Sequence, residues 1–216
     1  MKKEKMYKIL LICILISIIY TVLVKFVDVD AIGPNNSMVG FATINDFFKG
    51  LIGYNESFYK ISKYLGIIPF LIVGMYSLIG LIQLIKRKSI KKVDMKILLM
   101  GWLYIFLGLV YVFFEFIIIN YRPVLDNGYL EASYPSSHTM LAVTICLSSL
   151  LISKYYIKNK NLNRSFELFT LTLMIVIVIT RTLSGVHWIS DILGGIIISS
   201  TLVILYKTNL MYFDKR

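Results

Sequence analysis

What this chain has least of is the chemistry of a water-facing surface. Only 16% of its 216 residues are charged, 57% are hydrophobic, and the mean hydropathy is +0.75. A soluble globular domain carries about 25% charged residues, so the composition excludes that class and leaves a membrane protein. Cysteine is nearly absent. Cys13 and Cys146 both fall in apolar runs, where they carry no sign of an oxidising compartment. No small-x-small cleavage site follows the MKKEKMYK start and its apolar run, so that run is expected to remain as a first membrane helix. No internal repeat and no soluble appendage is visible, and one membrane domain over 1–216 is expected. Histidine occurs twice, as His138 and His187.

What is present in quantity is long apolar segments. Six approach the roughly 20 residues that cross a hydrocarbon core: Ile9–Val27, Ile67–Ile85, Ile97–Ile119, Thr139–Ile157, Leu168–Leu183 and Ile189–Tyr206. The expected fold is therefore all-α, a polytopic membrane protein with six transmembrane helices. A net charge of +11 raises the question of nucleic acid, but the positions of the charges answer it. Most of the basic residues lie before the first run, between the second and third (Lys86 to Lys96), between the fourth and fifth (Lys154 to Arg164), and after the sixth. All these segments share one side of a six-span chain. The positive-inside rule then puts both termini in the cytoplasm and the other three loops outside. The natural partner of the basic excess is the lipid bilayer with its anionic headgroups, and no nucleic acid is expected. The longest external stretch, 28–66, opens with a Gly33-Pro34-Asn35-Asn36 turn signal. Ile44, Phe47, Phe48, Leu51 and Ile52 follow at helical spacing, which predicts an interfacial amphipathic helix after the first span. Its expected role is an anchor, with a lid over a lipid-entry slot as the sharper alternative.

The polar residues near the spans gather in three clusters. These are Glu115 with Arg122-Pro123, then Pro135-Ser136-Ser137-His138, then Arg181 through His187 to Asp191. In the topology above all three fall on the outer side. If the sixth helix starts near His187, Asp191 stands one turn from it and can hold one imidazole nitrogen while the other attacks. Arg122 and Arg181 offer forked donors that fit phosphate oxygens. Pro135 suits a first helical turn, with Ser133 or a neighbour as cap, so the amides of Ser136, Ser137 and His138 would face an anion. This reads as half of a phosphate cradle, with His138 as proton donor.

Plainer readings stand beside these. An arginine at a span end is commonly a snorkelling anchor, a Ser-Ser pair before a helix is commonly a cap, and Asp191 could simply pair with Arg181. Gly185 would let a loop approach phosphate closely, Gly194-Gly195 would let the sixth span pack tightly, and Tyr121 and Trp188 fit an interfacial aromatic belt. Against coincidence, both histidines of the chain fall within the clusters.

In this order, Arg122-Pro123, Pro135-Ser136-Ser137-His138 and Arg181-x5-His187-x3-Asp191 resemble the three-part signature of the type-2 phosphatidic acid phosphatase superfamily. That superfamily includes membrane lipid phosphatases, bacterial acid phosphatases and vanadium haloperoxidases. The resemblance implies that His187 is a nucleophile forming a phosphohistidine, with Asp191 orienting it. It implies that His138 protonates the leaving oxygen, and that Arg122, Arg181 and the amides near Ser136 and Ser137 bind the phosphoryl group. No metal or other cofactor is needed in that scheme. The implied activity is hydrolysis of a membrane lipid phosphate or diphosphate at the outer face of the cytoplasmic membrane. Isoprenoid carrier diphosphates, such as undecaprenyl diphosphate, phosphatidic acid and phosphatidylglycerol phosphate are all compatible substrates.

The chain departs from the pattern at Glu115, where members carry a lysine seven residues before the arginine of the Arg-Pro pair. Glu115 is expected either to be a structural counter-ion of Arg122 or Arg181, to contact a hydroxyl or amine of an unusual substrate, or to mark lost phosphatase activity. The rivals are a phosphotransferase passing the same phosphohistidine to an alcohol, and a non-catalytic lipid-binding protein. A transporter fits less well, because the ionisable residues gather at one membrane face.

Overall fold

The computed structural model describes residues 3–125 and 128–213. Its helices are α1 (Lys3–Phe26), α2 (Ala42–Ile52), α3 (Glu56–Leu65), α4 (Ile68–Arg87), α5 (Met95–Phe116), α6 (Ser137–Tyr156), α7 (Lys160–Leu183) and α8 (Ile189–Phe213). No strand occurs among the described residues, only the isolated bridges Asp30–Val39 and Tyr121–Ala132. Six stretches are long and apolar enough to cross a membrane: α1, α3 continued into α4, α5, α6, α7 and α8. The fold is an all-helical polytopic membrane protein.

Hydropathy locates the spans better than their ends. The fifth apolar run starts at Leu168, whereas α7 starts at Lys160, because the Asn159 side chain accepts from the N–H groups of Asn161 and Leu162 and caps a polar first turn. Similarly α8 continues through polar residues to Phe213, and α5 stops at Phe116 rather than at Ile119.

Around the bundle the usual arrangement of polarity is inverted, as a lipid solvent requires. Ile18 of α1, Leu78 of α4 and Trp102 of α5 are exposed, while Thr144, Ser148, Ser149 and Ser153 of α6 are buried. The serine hydroxyls stay satisfied locally: Ser148 donates to the Ile145 carbonyl at 3.1 Å and Ser149 to that of Cys146 at 2.7 Å. Helices α4, α5, α7 and α8 all pack on α6, whose small side chains let their backbones approach closely. Cys146 is buried in α6, and Cys13 in α1 is half-buried.

The amphipathic helix expected after the first span is α2. Ile44, Phe47 and Leu51 form an exposed apolar stripe, while Ala42 and Asn45 on the opposite face are buried. That buried face is held by the start of α8: Asn45 Nδ2 donates to Ser190 Oγ at 2.9 Å, and Ser190 N–H donates to Asn45 Oδ1 at 3.2 Å. A second short helix, α3, has no counterpart in the sequence reading. It opens on Asn55, whose side chain accepts from the Phe58 N–H at 3.1 Å. The backbone N–H of Asn55 is given to the Ser184 carbonyl at 3.0 Å, so the α2–α3 segment crosses the ends of α7 and α8.

Candidate active site

Two backbone devices bring the three sequence clusters together. After α5 the chain pairs with itself: Arg122 N–H donates to Glu131 O at 3.0 Å, and Ser133 N–H to Asn120 O at 2.9 Å. This sets the Arg122 strand beside the approach to α6. Close packing of α8 supplies the second device. A Cβ on Gly194 would stand 2.3 Å from the Tyr134 ring, so only glycine admits Tyr134 there.

Asp191 is fully buried. At the third position of α8 it reaches back to the start of its own helix, accepting from the Trp188 N–H at 2.9 Å, in the manner of a capping box. The same oxygen accepts from Ser133 Oγ at 2.5 Å, and Asn120 Nδ2 lies 3.4 Å from the other. His187 therefore precedes α8 rather than opening it. Its Nδ1 is 3.8 Å from Asp191 Oδ2, too far for the direct hydrogen bond expected from the spacing. Ser133 fills the gap, with its Oγ 3.0 Å from Nδ1.

On the other side of the ring, Arg181 Nη2 lies 3.0 Å from His187 Nε2. A guanidinium only donates, so Nε2 accepts and the ring proton sits on Nδ1, facing Ser133. The result is a directed chain from Arg181 through His187 and Ser133 to Asp191. Burial holds the His187 imidazole well below its ordinary pKa, and the charges of Arg181 and Arg122 push the same way. The ring is neutral at neutral pH, with its reactive lone pair on Nε2.

Arg122 is largely buried and pairs with Glu131 at 3.2 Å. Together with Glu115, Ser133, Ser137 and His187 it lines a cavity of about 40 Å3. Glu115 thus shares a cavity with the candidate nucleophile, on an exposed edge of α5. His138 packs against Gly66, where an added Cβ would stand 3.0 Å from its ring, and its Nδ1 has no hydrogen-bond partner among the described residues. Arg181 stacks its guanidinium over the Tyr59 ring of α3, with 5.5 Å to the centroid.

Several expectations are corrected. Helix α6 begins at Ser137, so Pro135 lies before the helix and Ser133 does not cap it. The amide of Ser136 faces no anion: it donates to the Asp191 carbonyl at 3.0 Å, while the Ser136 hydroxyl accepts from Thr139. Ser137 does line the cavity. Gly185, at φ 65°, meets the Gly53 carbonyl rather than the cavity, since a Cβ there would fall 1.8 Å from that oxygen. Trp188 is no belt residue: it is 1% exposed and donates Nε1–H to the Tyr121 carbonyl at 2.6 Å. Asn120 and Asn45 have no place in the sequence reading, and Ser133 enters it only as a cap. Only Ser133 left a signal, its place directly before Tyr134-Pro135. Among the described residues no group of three or more His, Cys, Asp or Glu side chains stands ready for a metal ion.

Six apolar helices with a buried His–Ser–Asp chain at one end define a polytopic membrane protein with a polar site at the membrane surface. A family model described as the PAP2 superfamily matches residues 114–214, the part of the chain that holds all three clusters. The fold agrees with that of a solved structure, described as the first transmembrane PAP2 type phosphatidylglycerolphosphate phosphatase from Bacillus subtilis. The TM-score is 0.59 at 16% identity, covering 94% of this chain and 96% of the other. No curated protein matches the chain.

Proposed function

We propose that the protein is a lipid phosphatase or diphosphatase that works through a phosphohistidine on His187 without a metal ion. The observation that carries the reading is the Arg181–His187–Ser133–Asp191 chain, because it presents a neutral imidazole with its lone pair on Nε2 and a carboxylate behind Nδ1. The match of residues 114–214 to the PAP2 superfamily model supports a lipid phosphatase, and the Bacillus subtilis protein with a similar fold is described as a phosphatidylglycerolphosphate phosphatase.

In the first step the Nε2 lone pair forms the N–P bond as the P–O bond to the lipid breaks, and His138 gives its proton to the departing oxygen. Nδ1 keeps its proton, and the positive charge of the ring is stabilised through Ser133 by Asp191. In the second step water forms a new P–O bond, the N–P bond breaks, and His138 takes the water's proton. Arg181, released from Nε2 by the incoming phosphorus, and Arg122 meet the phosphoryl oxygens, supplying the charge stabilisation of the transition state. The amide at Ser137, in the first turn of α6, adds the positive end of a helix.

The loops bearing Arg87 to Lys92 and Lys154 to Arg164 lie at the end of the spans opposite to His187, which supports cytoplasmic termini and an outward-facing site in the plasma membrane. The test is phosphate release from lipid phosphates and diphosphates by detergent-purified protein, with and without a chelator, beside His187→Ala. Release that survives the chelator and needs His187, with an acid-labile phosphoprotein trapped on rapid quenching, is the expected result. Release that needs an added metal, or that persists in His187→Ala, overturns the scheme.

A further inference from the structure

Both oxygens of the Asp191 carboxylate are set from one residue that belongs to none of the three sequence clusters. Oδ2 accepts from Ser133 Oγ and from the Trp188 N–H, and Ser133 is itself held by the Asn120 carbonyl, which accepts its backbone N–H at 2.9 Å. Oδ1 faces the Asn120 side chain. Its one hydrogen-bond donor among the described residues is Asn120 Nδ2, at 3.4 Å. Asn120 and Asp191 are both fully buried. A buried carboxylate oxygen left without a donor is costly, so the Oδ1 half of the charge depends on this amide.

The segment between α1 and α2 fixes which way that amide faces. Asn120 Oδ1 accepts from the Gly40 N–H at 2.9 Å. A backbone N–H only donates, so the NH2 end of the amide is turned toward α8. Gly40 is locked in turn: a Cβ there would fall 1.6 Å from the Val24 carbonyl oxygen of α1, and its own carbonyl accepts from Asn45 Nδ2 at 2.7 Å. Asn45 Nδ2 also donates to Ser190 Oγ at 2.9 Å, and Asn120 Nδ2 lies 3.5 Å from the same hydroxyl. The circuit Asn120–Gly40–Asn45–Ser190 is therefore closed, and all four residues are buried beside Asp191. We propose that Asn120 is a positioning residue of the candidate site, holding the carboxylate of Asp191 toward Ser133 and His187 from an orientation that Gly40 sets. The proposal rests on the lipid phosphatase reading. The two longer contacts of Nδ2 have the character of catalytic hydrogen bonds before substrate binds, which tighten as charge develops.

Asn120→Asp isolates the donor. It keeps an oxygen for the Gly40 N–H and a backbone carbonyl for Ser133, and it puts a carboxyl oxygen where Nδ2 stood. Two buried carboxyls in contact share a proton. In acid that proton is donated to Asp191 as the amide N–H was, and as the pH rises the donor is lost. The ratio of variant to wild-type kcat on a lipid phosphate should therefore be close to unity in acid and fall by roughly tenfold toward alkaline pH, with KM little changed. Tyr20, His187 and Arg122 are the other titratable or charged groups around Asp191, and dividing by wild type cancels their own titration. A ratio that is flat with pH overturns the proposal and leaves Asn120 as a brace for Gly40. Asn120→Ser is the second variant, should the first fail to fold. It should lower kcat about tenfold and lower it no further in an Asp191→Asn background, because Asn120 acts through Asp191. Additive losses overturn the proposal.

A second readout does not need turnover. The chain has two histidines, so the imidazole nitrogen NMR spectrum of the histidine-labelled full chain in detergent holds few signals, and those of His187 are the ones absent in His187→Gln. The Nδ1 signal of His187 should move with pH in Asn120→Asp far more than in wild type. Equal movement in both, or none in either, overturns the proposal. A wild type that releases no phosphate from any lipid, yet shows this difference in the Nδ1 signal, would remove the phosphatase reading and leave Asn120 positioning His187 through Asp191.

Discussion

The two ends of the bundle each hold an aspartate, and they hold it differently. Asp94, at the basic end, accepts from Arg87 Nη1 at 2.9 Å, Gln83 Nε2 at 2.8 Å and the Tyr156 hydroxyl at 3.3 Å, with its side chain 39% exposed. Burial pushes its pKa up, but hydrogen bonds from Arg87 and Gln83 outweigh this and hold it below the ordinary value. Asp191, at the other end, is fully buried, and its bonded partners are a hydroxyl, a backbone amide and the Asn120 side-chain amide. Arg181 meets His187 at the far end of the same hydrogen-bonded chain. A carboxylate matched by a cation is a staple, here joining α4 to the start of α5. One that is buried among neutral donors is placed to answer a positive charge that arises beside it, the role we propose for Asp191 when His187 is phosphorylated.

The largest way to break this comparison is His187→Ala. We expect loss of phosphate release on the order of 10^4-fold, read as kcat on a lipid phosphate. Next is Ser133→Ala, which removes the link between His187 and Asp191 and leaves the ring and carboxylate in place. A fall in kcat of about ten- to a hundredfold with KM little changed is expected, as for other groups that orient a reacting ligand. A change in KM alone would make Ser133 a substrate contact. Glu115→Lys restores a cation at the cavity edge and should raise kcat/KM for small dianionic phosphate esters by about severalfold. Loss of folded protein instead would mark Glu115 as a structural counter-ion.

Acid sharpens the difference between the ends. An unfolded histidine takes up a proton near 6.5, which the buried His187 refuses. Stability contributed by neutral His187 is therefore full above that value and lost as the pH falls below it. For Asp94 the unfolded value is 3.8 and the folded value lower, so its contribution is lost only in stronger acid. Thermal midpoints in detergent across pH should show the first loss disappear in His187→Gln and the second in Asp94→Asn. The smallest effect is that of Asp94→Asn at neutral pH: about 1 kcal/mol or less of stability, because the pair is partly exposed, with turnover unchanged.

Trp188 and Ser133 show where reading the chain alone falls short. A tryptophan beside a span end has the pattern of a belt residue, yet its indole is buried because the Tyr121 carbonyl, 67 residues earlier, accepts its N–H. Ser133 has the pattern of a cap, yet its hydroxyl bridges to Asp191, 58 residues on. Similarly α2 was legible from its apolar stripe, and the docking of its other face through Asn45 onto Ser190 was not.

Six helices, the side of the bundle on which the charges lie, and the three clusters with their arginines, histidines and Asp191 all follow from local features of the sequence. Hydropathy, helical period and motif spacing are properties of neighbours along the chain. Which partner the Ser136 amide takes, which hydroxyl stands between His187 and Asp191, and which residues line the cavity with His187 were decided only by the tertiary structure. Each of these depends on distances of a few ångströms between segments far apart in sequence, and those distances are set by packing around α6 and α8.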